Sequence, residues 1–330
     1  MYNFKNYDVV IIMQNIVFFV KKFTRLIRSF INVVIEKFIK LSVSFVWSRT
    51  VLNKFYNKLS FSQKGFFHNK FSKIFRGKYH RISNGTWVVF FNDTKIIMPI
   101  TEENIALYWD SAISIIGHDA EIKETYANLM LEKKCDLFID IGGNYGGHSL
   151  LFLVNKIETL TFEPNNSCHN YFKEICQLNA VSPCLQPIAI GDQRGTVTLS
   201  YPSDETWLGS ICEKTIETLN KKKNIVVQHV EIKPIDDFME KMVDKKVVIK
   251  IDTEGNELSV LKGANRTLSE IKPLVIFECF KEAQREEIFN FFESKKYAIY
   301  KLPFKNVTKK MALTLGEFTI SNDSNFFAKT

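Results

Sequence analysis

The chain's 330 residues exceed the ~100 to 200 of an ordinary single domain, so one large domain with an appendage, or two domains, is expected. With 45% apolar and 24% charged residues it has material for a core, which excludes disorder of the whole chain. The net charge of +8 is unevenly placed: residues 1–80 hold 15 Lys and Arg against only Asp8 and Glu36, which leaves the rest of the chain acidic, at −5.

Residues 9–20 read VVIIMQNIVFFV, a run interrupted by Gln14 and Asn15 and shorter than the ~20 apolar residues a spanning helix needs. It does not read as a cleaved signal either, because the positive charges follow it and no small-residue cleavage site appears. From Lys21 the spacing predicts a basic amphipathic helix, with Phe23, Leu26, Ile27, Phe30, Ile31, Val34 and Phe38 on one stripe and Lys22, Arg25, Arg28, Lys37 and Lys40 largely elsewhere. Such a helix suits the interface of an anionic membrane, and it suits equally well packing on the rest of the chain or on another protomer. Lys and Phe also cluster through residues 54–78, but no nucleic-acid motif accompanies them, and nucleic acid is not an expected partner. Residues 1–80 are therefore read as a basic helical extension and residues 81–330 as the main folded domain.

TWVVFF and KIIMPI, parted by a turn at Asn92 and Asp93, read as two strands, and a mixed, mainly helical stretch follows to Lys134. From Asp136 short apolar runs alternate with helical patterns, the mark of a parallel sheet with helices on both faces. Cys135, Cys168, Cys176, Cys184, Cys212 and Cys279 form no CxxC pair and no zinc-type spacing with His, so they read as free thiols in a reducing compartment. The expected location is the cytoplasm, with the extension available to the inner face of a membrane.

Four runs carry chemistry. In CDLFIDIGGNYGGHSLLFLV a buried strand over Leu137–Ile141 leads into a glycine turn at residues 142–147, and a helix opens at His148. Asp140 closes that strand, a placement that suits a ligand with a positively charged amino group better than a pyrophosphate. ETLTFEPNN gives a second strand ending in Glu163, an acid placed to accept both ribose hydroxyls of an adenosine moiety. CLQPIAIGDQRGTVTLS gives a strand ending near Ala189 and Ile190, then Gly191 and Asp192, then a hairpin around Arg194 and Gly195. In VVIKIDTEGNELSVLKGA, Val247–Ile251 form a buried strand with Lys250 and Asp252 on one face, Glu254 in the following turn, and a helix starting near Asn256. Charges there stand where open α/β sheets bind ligands; a structural ion pair is the other reading of Lys250.

The ordered set DxGxNxG, FEPN, AIGD and KIDTEGNELSVLKGA, closed by PLVIFEC, resembles the FkbM-type methyltransferase family over residues 136–279. VEIKPIDDFM adds weaker support, and residues 1–80 add none. The resemblance implies a class I, Rossmann-like α/β fold of seven mostly parallel strands, S-adenosylmethionine as donor, and an acceptor hydroxyl on a sugar, glycan or related secondary metabolite. Asp140, Gly142, Gly143, Asn144 and Gly146 match the motif that cradles the methionine part, with Gly143 where relatives often carry Ala. Glu163, Pro164 and Asn165 match the ribose motif, Asp192 the motif near the adenine, and Asp252 and Glu254 the motif facing the acceptor. His148 stands where relatives carry an apolar or aromatic residue; it could meet the acceptor or cap the helix start.

Methyl transfer to a hydroxyl asks for alignment and for removal of one proton, so Asp252 is the expected general base, Glu254 its orienting partner and His148 a reserve. Two close carboxylates could instead hold a divalent cation, but no third ligand is evident and no metal is expected. A nicotinamide-dependent oxidoreductase would share the strand, glycine turn and distal acid, yet would prefer GxGxxG against a pyrophosphate that Asp140 would repel. A non-catalytic scaffold docked through the basic extension is the remaining alternative. Residues 201–214, with Trp207, Gly209 and Ser210, are expected on the acceptor side, since aromatic rings stack on sugar faces; Trp207 reads equally as a core residue.

Overall fold

A computed structural model describes residues 45–75, 85–100, 115–203, 208–212, 215–217, 224–281, 284–305 and 311–330, with isolated positions between 22 and 37. The apolar run at residues 9–20, most of the amphipathic helix from Lys21, and Trp207 lie outside the described residues.

The described N-terminal part opens with two helices, α1 (Val46–Asn57) and α2 (Phe61–Phe75). Strands β1 (Gly85–Phe91) and β2 (Thr94–Ile100) come next as an antiparallel hairpin with Phe91 opposite Thr94. Asn92 and Asp93 turn it at φ 47° and 63°, the left-handed pair whose twist suits a two-residue hairpin. Tyr56 of α1 joins Trp87, Val89 and Ile96 in one buried cluster, so α1 and the hairpin share a core.

After α3 (Ala120–Leu131) the chain alternates between strand and helix: β3 (Leu137–Ile141), α4 (Gly147–Val154), β4 (Glu158–Phe162), α5 (Asn166–Leu178) and β5 (Leu185–Gln186). It then diverts through β6 (Ala189–Ile190), β7 (Gly195–Pro202) and β8 (Ile225–Lys233) before returning as β9 (Val247–Ile251), α6 (Glu257–Gly263), β10 (Leu274–Glu278), α7 (Arg285–Ser294), β11 (Ala298–Lys301), α8 (Leu315–Ile320) and β12 (Asn325–Lys329). Seven strands form the main sheet in the order β11-β12-β10-β9-β3-β4-β5. β12 runs antiparallel to both of its neighbours, and the pairings from β10 through to β5 are parallel.

The apolar strands read as continuous runs because both of their faces are covered. Phe138, Val248 and Ile276 enter one core with Tyr126, Leu150, Phe152 and Phe172 from α3, α4 and α5. Ile139, Ile249, Val275 and Phe277 enter the other with Val260, Ile288 and Phe318 from α6, α7 and α8. This is the α/β sheet of seven mostly parallel strands with helices on both faces that the sequence implies.

One expected element is different. The predicted hairpin around Arg194 and Gly195 does not close on its neighbour: Gly195 begins β7, which pairs antiparallel with β8 in a separate sheet ordered β6-β8-β7. The bend is held at long range, by two hydrogen bonds from the Arg194 guanidinium to Asp237, at 3.0 and 2.5 Å.

Candidate functional site

The carboxyl ends of β3, β4 and β9 open into a cleft of about 920 Å³, including the part continuous with solvent. Its walls include Gly142, Gly143, Asn144 and His148 after β3, then Glu163, Pro164 and Asn165 after β4. Ile188, Ala189, Ile190 and Leu199 come from the diverted segment, and Lys250, Asp252, Thr253, Glu254 and Asn256 from the end of β9 and the turn after it. The fold thus assembles in one place most of the residues that the sequence singled out.

Three glycines have a cause that the sequence reading assigned elsewhere. A Cβ on Gly142 (φ 80°) would collide with the backbone carbonyl of Asp252, one on Gly143 with Thr161, and one on Gly146 (φ 75°) with the ring of Phe172. Their bareness lets strand tips and helices close on each other; Gly142 and Gly143 line the cleft, while Gly146 is buried against Phe172.

Asp140 is fully buried at the end of β3, beneath the cleft. Its Oδ2 accepts from Ser149 Oγ at 2.7 Å, and Ser149 also bonds Thr161 at 2.7 Å. Oδ1 has no hydrogen-bond partner among the described residues, and Lys250 Nζ stands 3.9 Å away across the β3–β9 register, where Asp140 and Lys250 are direct neighbours. Burial pushes the Asp140 carboxyl up despite the pull of Lys250 and Ser149.

Glu163 is held by the two turns it joins, Oε2 accepting from Asn144 N and Oε1 from Asn165 N, each at 2.6 Å. Burial raises its pKa to about 7, against those two bonds. Each oxygen keeps a second lone pair for a ligand hydroxyl. The Asn165 side chain is engaged elsewhere, capping α5 by accepting from Ser167 N at 3.0 Å.

Around β9 the charges form one cluster. Burial opposes charge on Lys250, but Asp252 and Asp140 raise its pKa, and its ammonium bonds Asp252 Oδ2 at 3.0 Å. Burial likewise pushes Asp252 up, but Lys250 and hydrogen bonds from Lys250 and Glu278 pull it below its usual value. Glu254, at φ 53°, is raised to about 7 by burial, Asp252 and Glu257. Glu278 at the end of β10 is raised to about 10 by burial and by Asp252. Asp252, Glu254 and Glu278 bring carboxylate oxygens within 4.8 Å of one another, so the third carboxylate not evident in the sequence is supplied by the neighbouring strand. Such a set can share a proton or receive a divalent cation. Glu257 ties the loop itself, accepting from Thr253 N, Thr253 Oγ1 and Gly255 N.

His148 lines the cleft but does not cap α4, whose cap is Gly146 without a side-chain bond. Its Nδ1 lies 2.9 Å from Tyr126 Oη and its Nε2 3.4 Å from Lys123 Nζ. Burial and the two lysines, Lys123 and Lys250, hold it neutral, well below the usual imidazole range. Asp192 is exposed, paired with Ser259 at 2.8 Å, and is not part of the wall, which residues 188–190 supply instead. On the expected acceptor side Gly209 and Ile211 reach the cleft, while Ser210, and Thr215 just beyond that segment, donate to the Glu254 carbonyl.

His118 and Asp119 also line the cleft, and the sequence motifs did not single them out. Asp119 sits at φ 45° immediately before α3, and a glycine, a histidine and an acid ahead of an apolar helix are the signal that could have marked them.

Residues 140–299, just under half of the chain, match the family model described as the methyltransferase FkbM domain. No curated protein matches the sequence. The crystal structure of methyltransferase FkbM from Methylobacillus flagellatus aligns over 69% of this chain and 55% of its own, at 16% identity and TM-score 0.35, so the chain spans about half of that protein's length. An S-adenosylmethionine-dependent methyltransferase from Agrobacterium tumefaciens aligns over 74% of this chain and 69% of its own, at 9% identity and TM-score 0.36.

Proposed function

We propose that the cleft binds S-adenosylmethionine and passes its methyl group to a hydroxyl of a sugar, glycan or related secondary metabolite, a reading supported by the match of residues 140–299 to the methyltransferase FkbM family model. The observation that carries this reading is the meeting, in one cleft, of the buried acid Glu163 at the tip of β4 with the carboxylate cluster around Asp252 at the tip of β9.

The residues fit such a donor. Glu163 has acceptor capacity left for a ribose diol, Ile188, Ala189, Ile190 and Leu199 offer apolar surface to a flat base, and the orphaned Asp140 Oδ1 lies below the turn that would meet a cationic amino-acid end. When bound, S-adenosylmethionine supplies a methyl group on a sulfonium, whose departure needs no protonation. The chain's part is to hold the acceptor oxygen in line and take its proton.

Asp252 is the base in this reading, since Lys250 keeps it ionised and it lines the cleft. Glu278, its carboxyl raised to about 10 by burial and by Asp252, brings an oxygen within 4.8 Å of Asp252 and supports it from the neighbouring strand. Glu254, held by its carbonyl through Ser210 and Thr215, lies beside Asp252 on the acceptor side. His148 has both ring nitrogens next to Tyr126 and Lys123, which suits a wall better than a reserve base.

The test is transfer of a radiolabelled methyl group from S-adenosylmethionine to a panel of glycosides and sugar nucleotides. A methyl ether keeps its label in mild base. Label lost as methanol would mark a carboxyl ester and overturn the hydroxyl assignment.

A further inference from the structure

One surface remains unused by methyl transfer. On α1, Asn53 and Tyr56 turn inward and are buried, while Trp47, Val51 and Phe55 are 70%, 59% and 62% exposed. Their four-residue spacing stacks them on one face of the helix, with Phe45 exposed just before it. Lys54 and Lys58 are exposed on the same helix and its C-cap. No Asp or Glu occurs between Glu36 and Asp93, and the 15 cations of residues 1–80 face only two acids.

We propose that α1 is a docking surface for anionic lipid, with Trp47, Val51 and Phe55 entering the boundary between headgroups and acyl chains and Lys54 and Lys58 meeting the phosphates. Tryptophan favours that boundary because its ring is apolar and its N–H is polar, and cations near an anionic leaflet add attraction. The acid-free sequence on either side of the stripe complements a negative surface and repels a second copy of itself. The branched Val51 between two aromatics suits acyl chains better than stacked bases.

Docking there would orient the cleft. Tyr56 on the inner face of α1 is in the core with Trp87, and a Cβ on Gly117 would press on His68 and on the Lys64 carbonyl of α2. A Cβ on Gly117 would also lie 3.3 Å from the Tyr56 hydroxyl of α1, and Gly117 leads directly into His118 and Asp119 of the cleft wall, so both helices, including the one that meets the lipid, pack on the segment that lines the cleft.

The full chain should sediment with phosphatidylcholine vesicles only when phosphatidylglycerol is included, and binding should fall at least tenfold at high salt, as screening requires. Trp47→Phe should lose most of the fluorescence quenching that brominated lipid causes in the wild type, and this conservative change keeps the helix packed. Val51→Glu combined with Phe55→Glu should weaken sedimentation at least tenfold with an unchanged circular dichroism spectrum. No sedimentation with phosphatidylglycerol vesicles would overturn the proposal, as would equal binding to both vesicle types or quenching unchanged in Trp47→Phe. A dimer in sedimentation equilibrium that the double substitution dissolves, without vesicle binding, would assign the stripe to a second copy and also overturn it.

Discussion

The carboxylates at the tip of β9 do not share one protonation state, and that division gives each a different expected phenotype. Asp252→Asn keeps shape and removes the proton acceptor, so turnover should fall ~10²- to 10⁴-fold while donor affinity, read by calorimetry, stays within a few-fold. Glu254 differs, because burial and neighbouring acids raise it from 4.5 to about 7. A group whose folded value is raised favours the fold below its unfolded value and loses that contribution as pH rises through the folded one. Glu254→Gln should therefore stabilise the unliganded protein by about 1–3 kcal/mol at pH 8, with the gain shrinking toward pH 4.5, as read in thermal melts. Asp252 and Glu254 were legible because the strand ends in their own run. Glu278 was not: it reaches them only because β10 lies parallel beside β9, with Phe277 opposite Ile251, a pairing hidden by sequence distance. His118 and Asp119 were hidden likewise, on a segment with no periodic pattern.

At the scale of elements, the β3 to α4 turn and the C-terminal strands are both held by unusual residues. Gly146 combines φ 75° with contact to Phe172, so Gly146→Ala should cost about 2–4 kcal/mol from left-handed strain and overpacking, measured by denaturant unfolding. Arg285 is 3% exposed and donates to the carbonyls of Cys279, Phe280, Phe318, Ser321 and Asp323, joining the end of β10 to α8 and the approach to β12. Lysine cannot reproduce that planar fork, so Arg285→Lys should destabilise by about 2–4 kcal/mol in the same assay. The strands Leu137–Ile141 and Val247–Ile251 could be read from sequence because short continuous apolar runs followed by turn residues suit a strand covered on both faces. The bend at Arg194 could not, since its partners Asp237 and β8 are supplied later in the chain.

For the whole molecule, the change of charge near residue 80 in the sequence is not a break in packing. Tyr56 is 3% exposed and shares a cluster with Trp87 and Val89, so Tyr56→Ala should cost about 3–5 kcal/mol, and a chain starting at residue 81 should melt well below the full chain. An apolar stripe alone does not say whether it faces a core or a membrane; on α1 the inner side does the first and leaves the outer side exposed. Among the described residues no helix is long and apolar enough to cross a membrane.

A donor site built on Glu163 is the centre of this account, and isothermal titration with S-adenosylmethionine, run beside NADH and repeated on Glu163→Ala, tests it most directly. Micromolar binding of S-adenosylmethionine, weakened ~100-fold by the substitution and absent for NADH, is the predicted result, the loss corresponding to about 2.7 kcal/mol. No binding of the sulfonium donor, or binding indifferent to Glu163, would contradict it.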